Sequence, residues 1–353
     1  MLFTVFGSDR CYADLEPIAR ATTMKHKNLL SILALFLAFG ATNIAKAQTI
    51  NYREEMRQFV IGISDYARAA HPNFIVIPQN GMPLITSDGE PSSPVATNYA
   101  NAIDGTGIES LFYGYPKGTR KTPIAVQQPM LALADVFKAN GKTVMVTDYC
   151  NGKKALDASY TNNNAHGYIS IATKVSLTRI PKYPAQPYNV NNNDITAMSD
   201  AKNFLYLIDP AKFKTKTDFL AAINATDYDM LVIDLFFIND GTALTADDLA
   251  QLKIKHNGGR RLVISYMSIG EAESYRYYWN KDWLKKDTRP VWLKTLNKRW
   301  AGNYAVEYWN PEWQAIIYGS ENAYLDKVLQ AGFDGVYLDI IDGYEYFEAQ
   351  QTP

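Results

Sequence analysis

A chain of 353 residues with 47% hydrophobic residues can bury one large core, and barrel domains commonly run to about 250–300 residues, so a single catalytic domain is expected. A formal charge of -1 and a pI near 6.4 provide no broad basic surface to hold a phosphate backbone, which argues against a nucleic-acid partner. A neutral or mildly cationic substrate fits this balance better.

In chain order, residues 1–23 come first and read as either an upstream misread start or a short leader. From Met24 follow MKHKNLL, the apolar run SILALFLAFGA and Ala45-Lys46-Ala47. A basic start, a short apolar stretch and a small-x-small site are the parts of a secretory signal peptide, placed at 24–47 with the mature chain opening near Gln48. The apolar run falls short of the about 20 residues that span a bilayer, so no stable membrane anchor is expected, and the protein should be secreted or periplasmic. Losing Cys11 with this leader leaves Cys150 alone, without an intramolecular disulfide.

The mature chain begins with an amphipathic helix over Tyr52–Ala70. Apolar, β-branched or aromatic runs then recur at Phe74–Ile77, Ile108–Tyr113, Thr143–Tyr149, Phe204–Ile208, Leu231–Phe236, Leu262–Met267, Ala305–Trp309 and Gly335–Leu338. Helical patterns separate most of them, which argues for parallel strands with crossover helices. Eight runs suggest a closed (β/α)8 barrel. A ninth, Tyr168–Ala172, is either an additional strand or a replacement for the Ala305 run.

The phase is unusual, because an ordinary barrel begins on a strand and ends on a helix. Here a helix opens the mature chain and the Gly335–Leu338 strand is followed only by a short aromatic, acidic tail. A closed ring has no natural first strand, so circular permutation accounts for the order. The expected organisation is one domain over 48–353: second-half strands in 48–182, a Pro- and Asn-rich joining loop in 183–200, and first-half strands in 201–345.

Barrel active sites lie at the C-terminal ends of the strands, and acids collect there. Asp148 ends TVMVT, Asp209 ends FLYLI, Asp234 ends LVI, Glu271 follows ISYMSIG and Asp339 ends GVYL. Glu109 starts IESLFYG, where a bend could still turn it into the mouth. Each acid taken singly is equally well explained as a cap for the next helix; the set points to a site. Two carboxyl groups facing one glycosidic bond can supply a proton and either a nucleophile or a base. Rival chemistries lack their residues. The mature region holds only His71, His166 and His256, with no His-x-His or His-Glu-x-x-His arrangement, and there is neither a Gly-x-Ser-x-Gly elbow nor a phosphate-binding loop. No metal or cofactor is expected. Cys150 has no basic neighbour in sequence to activate it and reads as a small buried residue.

All six tryptophans, from Trp279 to Trp313, fall in one stretch with Tyr275, Tyr277, Tyr278, Tyr304 and Tyr308. Such rings either stack on sugar faces, with Asn303 and Glu307 as polar neighbours, or pack an outer layer. Asp342, Tyr344, Glu345, Tyr346 and Phe347 make a second aromatic and acidic patch.

The strings VIDLFF, ISYMSIGEAESYRYYW, WAGNYAVEYWNPEW and AGFDGVYLDIIDGYEYFE resemble glycoside hydrolase family 114, the endo-α-1,4-polygalactosaminidase-like barrels, especially the prokaryotic branch once mislabelled as related to cysteinyl-tRNA synthetase. FIVIPQNG, AIDGTGIESLFYG and KTVMVTDYC resemble the later half of the same family, here placed first, in agreement with the permutation. The resemblance implies a retaining hydrolase with Asp339 as nucleophile and Glu109 as acid and base. Asp234, Glu271, Asn80, Asp148, Asp342, Tyr149 and Tyr344 would bind substrate. Retention requires carboxyls about 5–5.5 Å apart and inversion a wider gap. An acid-lined cleft suits a polysaccharide carrying a free amine. A monomer is expected. The alternatives are hydrolysis of another glycan, and a carbohydrate-binding protein on a barrel that has lost turnover.

Overall fold

The computed structural model describes residues 50–351. The expected signal peptide at 24–47 and the stretch before it lie outside the described residues.

Helix α1, Tyr52–Ala70, occupies the span its pattern predicts. Asn51 accepts the Glu54 amide hydrogen on its side chain at 3.1 Å and closes the helix start. Glu54 and Glu55 fill the first turn, where the helix dipole favours negative charge. Met56, Phe59, Val60, Ile63 and Ala67 share one buried face.

Then follow β1 (Ile75–Pro78), α2 (Thr97–Ala102), β2 (Gly105–Glu109), α3 (Ile124–Ala139), β3 (Thr143–Tyr149), α4 (Lys153–Ala165), β4 (Ile169–Thr173), β5 (Phe204–Leu207), α5 (Lys216–Asn224) and β6 (Met230–Asp234). A small hairpin, β7 (Phe236–Phe237) and β8 (Thr242–Ala243), precedes α6 (Ala246–Leu252) and β9 (Leu262–Ser268). The chain continues through β10 (Glu271–Glu273), β11 (Leu293–Leu296), β12 (Asn303–Val306), α7 (Pro311–Ile317), α8 (Tyr324–Ala331), β13 (Gly335–Asp339) and α9 (Tyr344–Gln351).

The architecture is mixed α/β. A five-stranded sheet has the order β1-β13-β9-β6-β5 and a three-stranded sheet the order β2-β3-β4; every ladder in both is parallel. The sheets meet where Gln79, just past β1, bridges Gly107 of β2, and the Asn80 amide donates to the Gly107 carbonyl at 2.7 Å. Their other edges, β4 and β5, also pack together. Strands buried on both faces read as nearly continuous apolar runs, as LVISYM and GVYL do. Fully buried Val263, Ile264 and Leu338 each contribute about 1.5–3 kcal/mol of transfer free energy. Between the strands the Tyr206 and Tyr337 rings lie 5.2 Å apart, and the Tyr206 hydroxyl donates to Gln79 at 2.9 Å. None of the described helices is long and apolar enough to cross a membrane.

Three local expectations are corrected. The strand expected over Ile108–Tyr113 is Gly105–Glu109, so Glu109 ends its strand. Glycines are poor strand formers, which hid this one. Yet a side chain at Gly107 would come within 1.9 Å of the Tyr337 hydroxyl, so packing requires its absence. The Ala305–Trp309 run contributes instead to β12, which pairs antiparallel with β10 and β11 in a separate sheet, and β4, from the Tyr168–Ala172 run, takes the eighth parallel place. The acidic, aromatic tail forms a helix, α9.

The Pro- and Asn-rich segment 183–193 carries neither helix nor strand. It is held from below by a buried ion pair. Lys255 Nζ lies 2.9 Å from Asp229 and also donates to the carbonyls of Asn191 and Asn193 at 3.0 and 2.7 Å.

Candidate active site at the strand ends

Asp339 is the last residue of β13 and is 2% exposed. Its Oδ2 accepts from the Tyr266 hydroxyl at 2.6 Å, and its Oδ1 accepts from the amide of Ile340 at 2.9 Å. That amide is aimed by an unusual backbone: Ile340 has φ of 59°, a left-handed conformation that a β-branched residue rarely adopts. Gly270 makes room for it, since a side chain there would meet the Ile340 carbonyl at 2.3 Å. Ser110 (φ 60°) follows β2 and Asn80 (φ 59°) follows β1. Three neighbouring strands therefore end in non-glycine residues held left-handed, and such strain collects at functional sites.

A cavity of about 430 Å³ opens beside Asp339. Asp234, Glu271, Glu273, Arg276, Tyr266, Trp300 and Asn303 line it together with Asp339. Arg276 orders the acids. Its guanidinium grips Asp234 through two bonds of 2.8 and 2.7 Å and Glu273 through a third of 2.6 Å. Burial opposes the charge, but the two carboxylates hold the guanidinium pKa well above its ordinary value. Both oxygens of Asp234 are thus engaged by protein. At Glu271, Asn297 and Asn303 donate to the two carboxyl oxygens at 2.9 and 3.0 Å. Burial pushes its carboxyl up to about 7 against those amides, and the charges of Asp339 and Glu273 add to the rise.

Glu109 is 8% exposed and does not line this cavity. Asn80 Nδ2 donates to one of its oxygens at 3.2 Å, while Asn80 Oδ1 accepts its backbone amide, and the Tyr149 hydroxyl donates to the other oxygen. Residues two apart on a strand leave on the same side. Gly107 and Tyr337 face each other, so Glu109 and Asp339, two residues further on, leave their strands on that same face.

The remaining residues singled out in the sequence are dispersed. Asp148 is fully buried, its oxygens accepting from the amides of Phe112 and Tyr113 at 2.9 and 3.1 Å, from Ser159 at 2.7 Å and from Asn163 at 3.1 Å. These bonds tie together the turn after β2 and helix α4. Asp342 is 2% exposed beside Glu345, whose carboxyl burial and the Asp342 charge push up to about 8. Tyr344 is fully buried, with the Arg53 guanidinium over its ring at 5.0 Å. Asp209 lines the cavity. Burial pushes the Cys150 thiol up to about 12, the state of an inert packed cysteine. A depression of about 490 Å³ near Tyr66, His71 and Asp326 lies toward the opposite, N-terminal ends of β1 and β13.

Sequence reasoning passed over Tyr266 and Arg276. Tyr266 sits two residues before the end of β9 and so on the face of Tyr337, its partner in register. Arg276 had a visible signal: it is the only cation in EAESYRYYW, three residues after Glu273 and set among rings.

Residues 204–352 of the 353-residue chain, a segment that carries Asp339, match the model of glycoside-hydrolase family GH114. This segment is similar to that family. Three relatives align over about the same length. An uncharacterized protein of Methanocaldococcus jannaschii, MJ1477, is 45% identical over 123 residues, which is 35% of this chain and 33% of its own. Uncharacterized proteins of Deinococcus radiodurans and Thermotoga maritima are 43% identical over 126 residues and 37% over 125, covering 36% and 35% of this chain and 37% and 36% of theirs. The alignments thus span about a third of each curated relative. The GH114 segment contains Asp234, Glu271, Arg276, Asp339, Asp342 and Tyr344, whereas Asn80, Glu109, Asp148 and Tyr149 precede it.

Proposed function

We propose that the protein is an exported glycoside hydrolase built on a circularly permuted (β/α)8 barrel, with Asp339 as nucleophile and Glu109 as the proton-transferring partner. The Gln79–Gly107 bridge on one side and the packing of β4 on β5 on the other support ring closure. Permutation is supported by the GH114 segment occupying β5 to β13, with β1 to β4 completing the circle between them. The observation that carries the site is that left-handed Ile340, Asn80 and Ser110 follow the ends of β13, β1 and β2, which supports a shared rim for Asp339, Asn80 and Glu109. In a retaining reaction Asp339 attacks the anomeric carbon as Glu109 protonates the departing oxygen, and Glu109 then deprotonates the water that releases the sugar. Tyr266 holds the Asp339 oxygen in position through its 2.6 Å bond.

The substrate we favour is an α-1,4-linked galactosamine-containing polysaccharide cut internally. Its ammonium groups would be drawn to the cavity carboxylates of Asp339 and Asp209. The test is release of oligosaccharides from de-N-acetylated galactosaminan, in a screen that includes neutral and other amino-sugar polysaccharides. Release from a different glycan would redirect the substrate while keeping the chemistry. A second reading, a carbohydrate-binding protein without turnover, draws on the absence of Glu109 from the Asp339 cavity. Binding with no release from any member of the screen would favour it.

A further inference from the structure

The tryptophans divide into two kinds. Trp279, Trp283, Trp292 and Trp313 form a chain of ring contacts with successive centroids 5.0–5.3 Å apart, and Trp309 packs on Tyr308 and Phe347 at 5.0 and 4.6 Å. These fill an outer layer. Trp300 instead is 38% exposed and forms part of the wall of the Asp339 cavity. A large ring set in a polar, acid-lined wall matches the apolar face of a pyranose.

Its backbone lies in a turn between β11 and β12, which would be loose without side-chain ties. Asn297 stands at one end and Asn303 at the other. Asn297 Oδ1 accepts from the amides of Arg299 and Trp300 at 3.0 and 3.3 Å, and Ser274 donates its amide to the Gly302 carbonyl at 2.7 Å. Both asparagines converge on a single carboxylate: Asn297 Nδ2 on Glu271 Oε1 and Asn303 Nδ2 on Glu271 Oε2. Glu271 is 1% exposed and belongs to β10, which pairs with β12, so the clasp is anchored in a sheet.

We propose that Trp300 is a sugar-stacking wall of the cavity and that Glu271 is its positioning residue, clasping both ends of the 297–303 turn through the two asparagine amides. The stacking half deepens the reading of the cavity as a glycan site; the clasp does not depend on turnover. This assignment separates Glu271 from the acid-base pair, because both of its oxygens are turned to the turn's amides.

Two measurements on the full chain test it. Hydrogen exchange needs no ligand. In Glu271→Ala the amides of Arg299 and Trp300 should exchange about tenfold faster or more, with strand amides of β9 and β13 unchanged, and Glu271→Gln, which keeps one acceptor oxygen, should restore part of the protection. Unchanged exchange in that turn, or an equal rise everywhere, overturns the clasp. The second measurement is affinity for each glycan of the screen, followed by protein fluorescence and, where turnover occurs, by KM and kcat. Trp300→Ala should weaken binding about tenfold, with the loss appearing in KM more than in kcat. Glu271→Ala should do the same, and the double variant should be no worse than either alone. Effects that multiply, or an unaltered affinity in Trp300→Ala, overturn the stacking assignment, as does a wild type that binds no member of the screen. Glycan binding that responds to Trp300→Ala without hydrolysis would leave this proposal standing while the hydrolase reading falls.

Discussion

Asp339 and Asp148 occupy comparable places, each at or near the C-terminal end of a parallel strand, and in sequence each follows a run of apolar and β-branched residues. Their surroundings diverge completely. Asp148 accepts four hydrogen bonds, from two backbone amides, a serine and an asparagine, and has no exposed surface. Asp339 receives a tyrosine hydroxyl and a neighbouring amide, and it borders a cavity. A strand-end carboxylate is therefore a candidate for chemistry only when something other than protein can reach it.

The sharpest way to break this contrast is to change both. Asp339→Asn should lower turnover about ten-thousandfold while the unfolding midpoint stays within a few degrees, as for removal of a covalent nucleophile. A variant retaining a tenth of wild-type turnover would remove Asp339 from that role. Asp148→Ala should act in the opposite register. It leaves the buried donors of Phe112 and Ser159 and the half-buried amide of Tyr113 without their acceptor, each worth about 1–3 kcal/mol, so stability in urea should drop by about 3 kcal/mol or more. If Asp148→Ala folded with wild-type stability and lost only activity, the division between the two acids would collapse.

How far the sequence reveals this division depends on the range of the interactions involved. Helix α1 was readable because its cap, its charges and its buried face all repeat within a few residues. Strand β2 was displaced because Gly105 and Gly107 owe their place to Met198, Thr143 and Tyr337, none of them local. The acids were found, but not their states. Ser159 and Asn163, which occupy Asp148, lie on the following helix, and Arg276, which occupies Asp234, lies 42 residues away. The tryptophan cluster likewise contained both the packing and the wall reading, and only the fold, which leaves Trp300 38% exposed beside the cavity while Trp292 and Trp313 are buried, separates them.

Glu271 stands between the two extremes, buried like Asp148 but bordering the cavity like Asp339. Its carboxyl binds a proton more tightly in the folded protein, with a pKa raised from 4.5 to about 7. Below about pH 4.5 both folded and unfolded forms are protonated, and this group has no pH-dependent effect. As pH rises toward 7 the unfolded form ionises first, so stability is lost across that window, by up to about 3 kcal/mol. Glu271→Gln should remove this fall. The curve of stability difference between wild type and variant, measured from pH 4 to 8, should slope between 4.5 and 7 and be flat above. A difference that is flat throughout would show that Glu271 ionises in the folded state as it does in the unfolded.

The smallest effect should come from a carboxylate at the surface, where water competes with every partner. Glu348 in α9 pairs with Arg53 of α1 through bonds of 2.8 and 3.1 Å, with the two side chains 36% and 29% exposed. This pair joins the first described helix to the last. Exposed pairs nevertheless contribute only about 0–1 kcal/mol, because ordering two long side chains and screening by salt offset most of the attraction. Glu348→Gln keeps the shape and removes the charge, and it should shift stability by less than about 1 kcal/mol, with the shift shrinking further at 1 M salt. The Arg53 guanidinium also rests on the Tyr344 ring and donates to the Asp88 carbonyl at 3.2 Å, contacts that the Glu348 variant leaves in place. Arg53→Ala should therefore cost more than Glu348→Gln. Equal costs would mean that charge, and not packing against Tyr344, holds α1 to the tail beside Asp339.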